Sequence, residues 1–337
     1  MDCHVHYHPS AVGEGFERYL ATTRNQTNFR TPAYRNLGVL TETMQASGVD
    51  LALLIPNAWL IRALASLGGP MHANTERYNR SRSEDLARRG GGRYVGAAAV
   101  DPLGGAEEMA QLERSLSLPH IGAIGRLTSY EDVTLDHPRF EPISQIARDH
   151  DVPVTVHPAG AWPTWHDALR LDTPFLVSGV GFMLGDSLAI FRLISAGVFD
   201  RYPTVRFMFC QLGGCAPFYC GPWNNYVRNA ARRQAGGPAR LLNDYLAHLW
   251  LDTHTQDRHA MALVMAEAGE HTVVLGGEYP VTQPENSIDY ALAELDALRL
   301  PPATRQKIER DNALTLLGPR TMALLGVEHP AMLSDAV

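Results

Sequence analysis

Eight short runs rich in Val, Ile and Leu punctuate this chain, and longer amphipathic segments separate them. Parallel strands buried on both faces read as continuous apolar runs of this kind, because crossover helices cover the sheet on both sides. The spacing predicts strands at Met1–Val5, Val49–Pro56, Tyr94–Asp101, Ile121–Leu127, Val152–Pro158, Arg206–Leu212, Leu249–His254 and Thr272–Gly277. It predicts helices at Glu76–Arg89, Ala106–Leu116, Phe140–Asp149, Leu184–Ala196 and Pro284–Leu298, with packing helices over Ala303–Leu325. In the fourth of these, Asp186 and Ser187 read as a starting cap and Gly197 as the stop. Eight such units without a sequence repeat predict an α/β fold, a closed (β/α)₈ TIM barrel. A doubly wound open sheet is the competing arrangement.

The 337 residues exceed the ~250 of a bare barrel. The surplus falls in two insertions, Pro9–Ala46 after the first strand and Ala159–Ser178 after the fifth. Both leave the C-terminal ends of strands, where barrel enzymes carry their active sites. No Gly/Ser- or Pro-rich linker divides the chain, so residues 1–325 read as one domain and 326–337 as a tail. Two smaller domains would fit the length alone.

Partners are bounded by charge and hydropathy. The net charge is −7 and no basic stripe occurs, which argues against nucleic acid. No apolar run approaches the ~20 residues of a membrane span. The chain opens Met1-Asp2-Cys3-His4 without the basic and apolar stretches of a secretory leader. Its four cysteines lack zinc-finger spacing and read as reduced thiols. These features together predict a cytoplasmic protein.

His4 and His6 stand two apart on the first strand, so both imidazoles project to one side. A pair of hydrogen-bonded or surface histidines is the plain alternative. His157, however, ends the fifth strand, and a closed barrel brings that end across the same mouth. Three convergent imidazoles suit Zn²⁺ or a similar divalent ion. Glu278 follows the glycines that end the eighth strand, beside the first. It is a candidate fourth ligand or proton acceptor, the alternative being a solvated loop glutamate.

Other side chains gather near the predicted mouth. His254 ends the seventh strand as a candidate proton carrier or a structural histidine. Arg126 ends the fourth as a carboxylate clamp or an internal ion pair. Arg62 is a weaker carboxylate anchor. Asn57 and Trp59 are candidate pocket wall. Trp162, Trp165 and His166, in the second insertion, would wall or touch a substrate, or simply pack the loop. His8, in phase with the pair, reads as supporting or surface.

The chain as a whole resembles an amidohydrolase branch, the one containing aminocarboxymuconate-semialdehyde decarboxylase, resorcylate-type decarboxylases and oxalomesaconate hydratase. The resemblance rests on Asp2-Cys3-His4-Val5-His6, on Leu127-Thr-Ser-Tyr130 leading to Leu135-Asp-His-Pro-Arg-Phe140, and on His157-Pro158. It continues through Ser195-Ala-Gly-Val-Phe-Asp-Arg-Tyr-Pro203, Leu212-Gly-Gly214 with Pro217-Phe218, Gly276-Gly-Glu-Tyr-Pro280 and Asn312-Ala-Leu-Thr-Leu-Leu-Gly318. It implies one divalent metal, zinc or manganese, held by His4, His6, His157 and Glu278, and a homodimer. Two positions depart from the family pattern. Gln211 stands where the family carries a proton-shuttling histidine, and glutamine hydrogen-bonds but does not titrate near neutral pH. Glu278 stands where an aspartate is usual.

The resulting expectation is a metal-dependent lyase that removes CO₂ from a small unsaturated or aromatic carboxylic acid, with His254, Glu278 and Gln211 at the chemistry. A hydratase or hydrolase acting on a related carboxylated substrate is the alternative. A metal-poor barrel with a biosynthetic or binding role is a third.

Overall fold

The computed structural model describes residues 1–22, 32–160, 168–232, 237–255, 257–281 and 287–327. Eight parallel strands follow one another around a barrel: β1 (Asp2–Val5), β2 (Ala52–Leu54), β3 (Tyr94–Ala99), β4 (Ile121–Leu127), β5 (Val154–His157), β6 (Phe207–Phe209), β7 (Leu249–Asp252) and β8 (Val273–Val274). Each pairs in parallel with the next. Closure comes from β1 meeting the residues after β8. Cys3 N donates to Leu275 O (2.8 Å), Glu278 N to His4 O (2.7 Å) and His6 N to Tyr279 O (2.8 Å), with a parallel bridge between Val5 and Tyr279. The closed barrel therefore displaces the open-sheet alternative. Every predicted strand is present, most of them trimmed by a few residues at the ends.

Side chains alternate across the barrel wall, as the two-residue strand period requires. Leu53, Val95, Ala97, Ala123, Met208 and Val274 belong to one buried cluster with Leu314, Leu317 and Met322 of the C-terminal helix Asn312–Leu324. Ile124, Val154, Val156, Phe207 and Leu251 face the other way. They pack with Leu86, Leu112, Ile143, Ile190 and Leu193 from the surrounding helices. Burial of this order contributes about 1.5–3 kcal/mol per large aliphatic side chain.

One buried cation ties the first three strands to a helix. Arg82 lies on Met71–Arg89 and is fully buried. It donates to the carbonyls of Leu54 (3.0 Å), Ala97 (2.9 Å) and Tyr7 (3.0 Å). The Tyr78 ring lies under its guanidinium at 4.5 Å. Burial lowers its pKa to about 9, still protonated at neutral pH.

The helix after β5 begins earlier than its sequence suggests. A π-helical turn, Val177–Gly181, runs straight into Phe182–Ser195. Asp186 and Ser187 are thus buried inside the helix and do not cap it. Ser187 Oγ instead accepts from Cys215 N (2.7 Å), latching the helix to the loop after β6. Gly197 does end the helix, at φ +68°. Val177–Ser195 is also long and apolar enough to match a membrane span by composition, with mean hydropathy 1.5, although no uninterrupted apolar run in it reaches that length. Here it serves as a barrel helix, its Ile190–Leu193–Ile194 face buried. All four cysteines are free thiols.

Candidate metal centre

The C-terminal ends of β1, β5, β7 and β8 converge on one buried point. His4, His6 and His157 form a near-equilateral triangle of imidazoles, with ring centroids 5.0, 5.2 and 5.1 Å apart. Each ring is held by its Nδ1. His4 Nδ1 meets Asp252 Oδ2 at 2.7 Å, His6 Nδ1 meets Ile55 O at 3.1 Å, and His157 Nδ1 meets Pro158 O at 2.8 Å. Carbonyls and carboxylates only accept, so Nδ1 carries the hydrogen and Nε2 presents a lone pair. All three Nε2 atoms are buried without a hydrogen-bond partner.

Glu278 completes the group, with Oε1 3.7 Å from His157 Nε2. One atom from each of the four residues falls within 4.8 Å of the others. Ligands about 2.1 Å from a common ion in tetrahedral array lie about 3.4 Å apart. Three orphaned lone pairs and a carboxylate at that spacing fit a divalent cation. Burial and neighbouring histidine charge hold His6 below its usual pKa, and burial does the same for His157. Both rings are therefore neutral and ready to ligate near pH 7.

Asp252 organises this centre, although no sequence signal singled it out. Its Oδ2 orients His4, while its Oδ1 accepts from Gln211 N (2.8 Å) and His254 N (3.0 Å). Burial opposes its charge, but His4 and these bonds outweigh that and lower its pKa. Asp2 does similar work one layer down, accepting from His4 N (2.9 Å) and Gly277 N (3.1 Å). Burial raises its carboxyl to about 6. Position 277 must be glycine, since a Cβ there would lie 2.8 Å from Asp2 Oδ2.

His254 faces the centre from the end of β7, with its Nε2 bonded to Glu278 Oε2. Burial works against its charged form, yet the Glu278 carboxylate prevails and raises its pKa. Glu278 responds in kind: burial would raise it, and His254 pulls it well down. Gln211 and Glu278 both sit at φ +53°, a left-handed backbone that non-glycine residues enter at a cost of order 1–3 kcal/mol. Leu212, beside Gln211, is left-handed too, at φ +55°.

A cavity of about 330 Å³ opens over the centre. His6, His157, Gln211, His254 and Glu278 form its floor, and Asn57, Trp59, Ser178, Gly179, Phe182 and Val281 line it. The sequence found Asn57 and Trp59 but not the π-helical turn that brings Ser178, Gly179 and Phe182 over the mouth. Arg126 is elsewhere. It is fully buried with its guanidinium 5.1 Å from the Phe140 ring, on the helix-facing side of β4. Arg62 stays half-buried on helix Leu60–Ala65, outside the lining. His8 is buried behind His6, bonded to the Tyr78 hydroxyl (3.1 Å) and stacked on Tyr34. Trp162, Trp165 and His166 lie outside the described residues.

Asp186 is a further buried acid. Neither of its oxygens has a hydrogen-bond partner. Burial, then the charges of Asp252 and Glu278, holds its carboxyl well above the usual range and so neutral.

A family model described as amidohydrolase matches residues 1–318. A gamma-resorcylate decarboxylase from a Polaromonas species is 25% identical over 290 residues, covering 81% of this chain and 84% of that one. A 2-amino-3-carboxymuconate-6-semialdehyde decarboxylase from Dictyostelium discoideum is 28% identical over 193 residues, covering 56% and 51%. Among solved structures, a 5-carboxyvanillate decarboxylase from Novosphingobium aromaticivorans, complexed with manganese and 4-hydroxy-3-methoxy-5-nitrobenzoic acid, superposes with a TM-score of 0.76. It is 19% identical, with 94% of each chain covered.

Proposed function

This chain belongs to the amidohydrolase family, and on that premise we propose that it is a metal-dependent lyase that removes CO₂ from a small aromatic or unsaturated carboxylic acid. The observation that carries this is the set of three fixed, unpartnered Nε2 lone pairs beside Glu278 at the floor of an aromatic-walled cavity. His4, His6, His157 and Glu278 would hold one divalent ion, zinc or manganese. Such an ion supplies Lewis-acid polarisation of a substrate oxygen next to the carboxylate. The manganese-bound relative and the two curated decarboxylases support the same reading.

The chain's own groups supply the rest. Trp59 and Phe182 flank a planar substrate and exclude water. The bond from ring carbon to carboxylate breaks, CO₂ leaves, and the electron pair left on carbon takes up a proton. His254 is placed to deliver it. The histidine faces the cavity, and the Glu278 charge favours its protonated form. That assignment gives His254 the task Gln211 cannot perform. Gln211 orients substrate or water through its amide.

Addition of water to a related substrate is the second reading, favoured by the same His254–Glu278 pair, which suits activation of a water. Product analysis separates the two. The purified protein, supplied with manganese or zinc and carboxyl-labelled hydroxybenzoates and dienoic acids, should release labelled CO₂. Hydrated product without CO₂ would replace the first reading with the second.

A further inference from the structure

The cavity contains one polar atom whose hydrogen-bonding sense the backbone has already decided. Asn57 ends the segment after β2, is 1% exposed and lines the cavity beside His6 and Trp59. Its Oδ1 accepts from Trp59 N at 3.2 Å. Only the oxygen of an amide can accept from an N–H, so the side chain cannot turn round. Nδ2 must then point the other way, and there it is buried with no partner. A buried donor left unmet is destabilising, and an acceptor atom on a ligand would relieve it.

Its surroundings are built to be rigid. The Trp59 indole stacks on Tyr19, with ring centroids 6.2 Å apart. It lies so close to the chain at Gly160 that a Cβ there would come within 2.4 Å of it. Phe182, in the same buried apolar cluster as Trp59, has its ring edge-on to His157. Gln211 Oε1, after β6 and so across the barrel from the end of β2, is a second buried, unpartnered amide atom of the cavity. Both groups are uncharged. The nearest sequence-level candidates for a cationic clamp, Arg126 and Arg62, do not line the cavity.

We propose that Asn57 is a specificity-determining residue: its Nδ2 donates to an uncharged oxygen, a ring hydroxyl, on the part of the substrate away from the carboxylate. The inference rests on the decarboxylase reading, which assigns the carboxylate end to the metal and leaves the amides for the neutral remainder. A hydroxyl oxygen carries lone pairs that can accept from Asn57 Nδ2. The preferred class is then a hydroxylated aromatic monocarboxylate. A second carboxylate at that position would face neutral amides over a floor already carrying Glu278.

The test is calorimetric binding of benzoate and of 3- and 4-hydroxybenzoate to the manganese-loaded protein. At least one hydroxybenzoate should bind about tenfold more tightly than benzoate, the worth of one net hydrogen bond. Asn57→Ser keeps an oxygen that can accept from Trp59 N and removes the amide donor. It should bring the ratio close to one while manganese content stays the same. No hydroxyl preference in the wild-type protein, or a preference that Asn57→Ser retains, overturns the proposal. Loss of manganese binding in the wild-type protein would instead strike the decarboxylase reading, and the two failures are separable in one sample.

Discussion

The two ends of the barrel are built from the same eight strands and treat polar atoms in opposite ways. At the N-terminal end, helix Asn312–Leu324 closes the barrel with Leu314, Leu317 and Met322 against Leu53, Val95, Ala97 and Ala123. There Thr321 Oγ1 donates to Gly122 O at 2.6 Å, and Asn312 Nδ2 donates to Val273 O at 2.7 Å. At the C-terminal end, three imidazole nitrogens, Asn57 Nδ2 and Gln211 Oε1 are buried without hydrogen-bond partners, and Gln211, Leu212 and Glu278 hold left-handed backbone. Buried polar groups are almost always satisfied in native proteins. On the proposed reading, the unsatisfied atoms at the mouth are the ones that ligands meet.

Substitutions at the two ends should separate binding from stability. The largest effect is expected from His4→Ala combined with His157→Ala. This pair should abolish both metal content and turnover, as read by elemental analysis and CO₂ release, while the protein stays folded by circular dichroism. Turnover surviving in the double variant would break the contrast at once. Next comes Leu317→Ala at the opposite end. The side chain is fully buried, so denaturant unfolding should show a loss of about 2–5 kcal/mol. The metal content of the folded fraction should not change.

Asp252→Asn tests the link that orients His4. Losing such a carboxylate should weaken metal affinity about 10–100-fold, measured by competition with a chelating dye, with the fold intact. The smallest expected effect belongs to Asp186→Asn. Burial and the charges of Asp252 and Glu278 hold the Asp186 carboxyl well above its range in the unfolded chain, where it ionises above about pH 4. Unfolding of the metal-free protein thus releases a proton, and stability falls as pH rises through that range. The variant should melt at a higher temperature than wild type near pH 7 and at the same temperature near pH 4. An identical difference at both values would mean that Asp186 is not held neutral.

Much of the mouth could be read from strand phase alone. His4, His6 and His157 alternate with residues that point away, and the barrel placed them together as expected. The same rule, applied one step further, would have excluded Arg126. Ala123 packs inside the barrel and Ile124 outside, so the next residue in the outward phase is Arg126, which lies under Phe140. Asp252 escaped notice because a single acidic residue in Leu-Asp-Thr-His carries no spacing signal. Its role exists only once the ends of β1, β6 and β7 meet at the barrel mouth. Asp186 was misread as a cap because a short polar pair before an apolar stretch looks the same at a helix start and inside a helix. The π-helical turn had no signature in the apolar pattern, and with it went Ser178, Gly179 and Phe182.

The central claim is that His4, His6, His157 and Glu278 hold one divalent ion. Elemental analysis of the purified chain, dialysed against micromolar manganese or zinc and then against metal-free buffer, tests it most directly. About one ion per chain, absent from the His4→Ala/His157→Ala variant, is the predicted result. A small fraction of an ion per chain, or an equal amount in the variant, would contradict it.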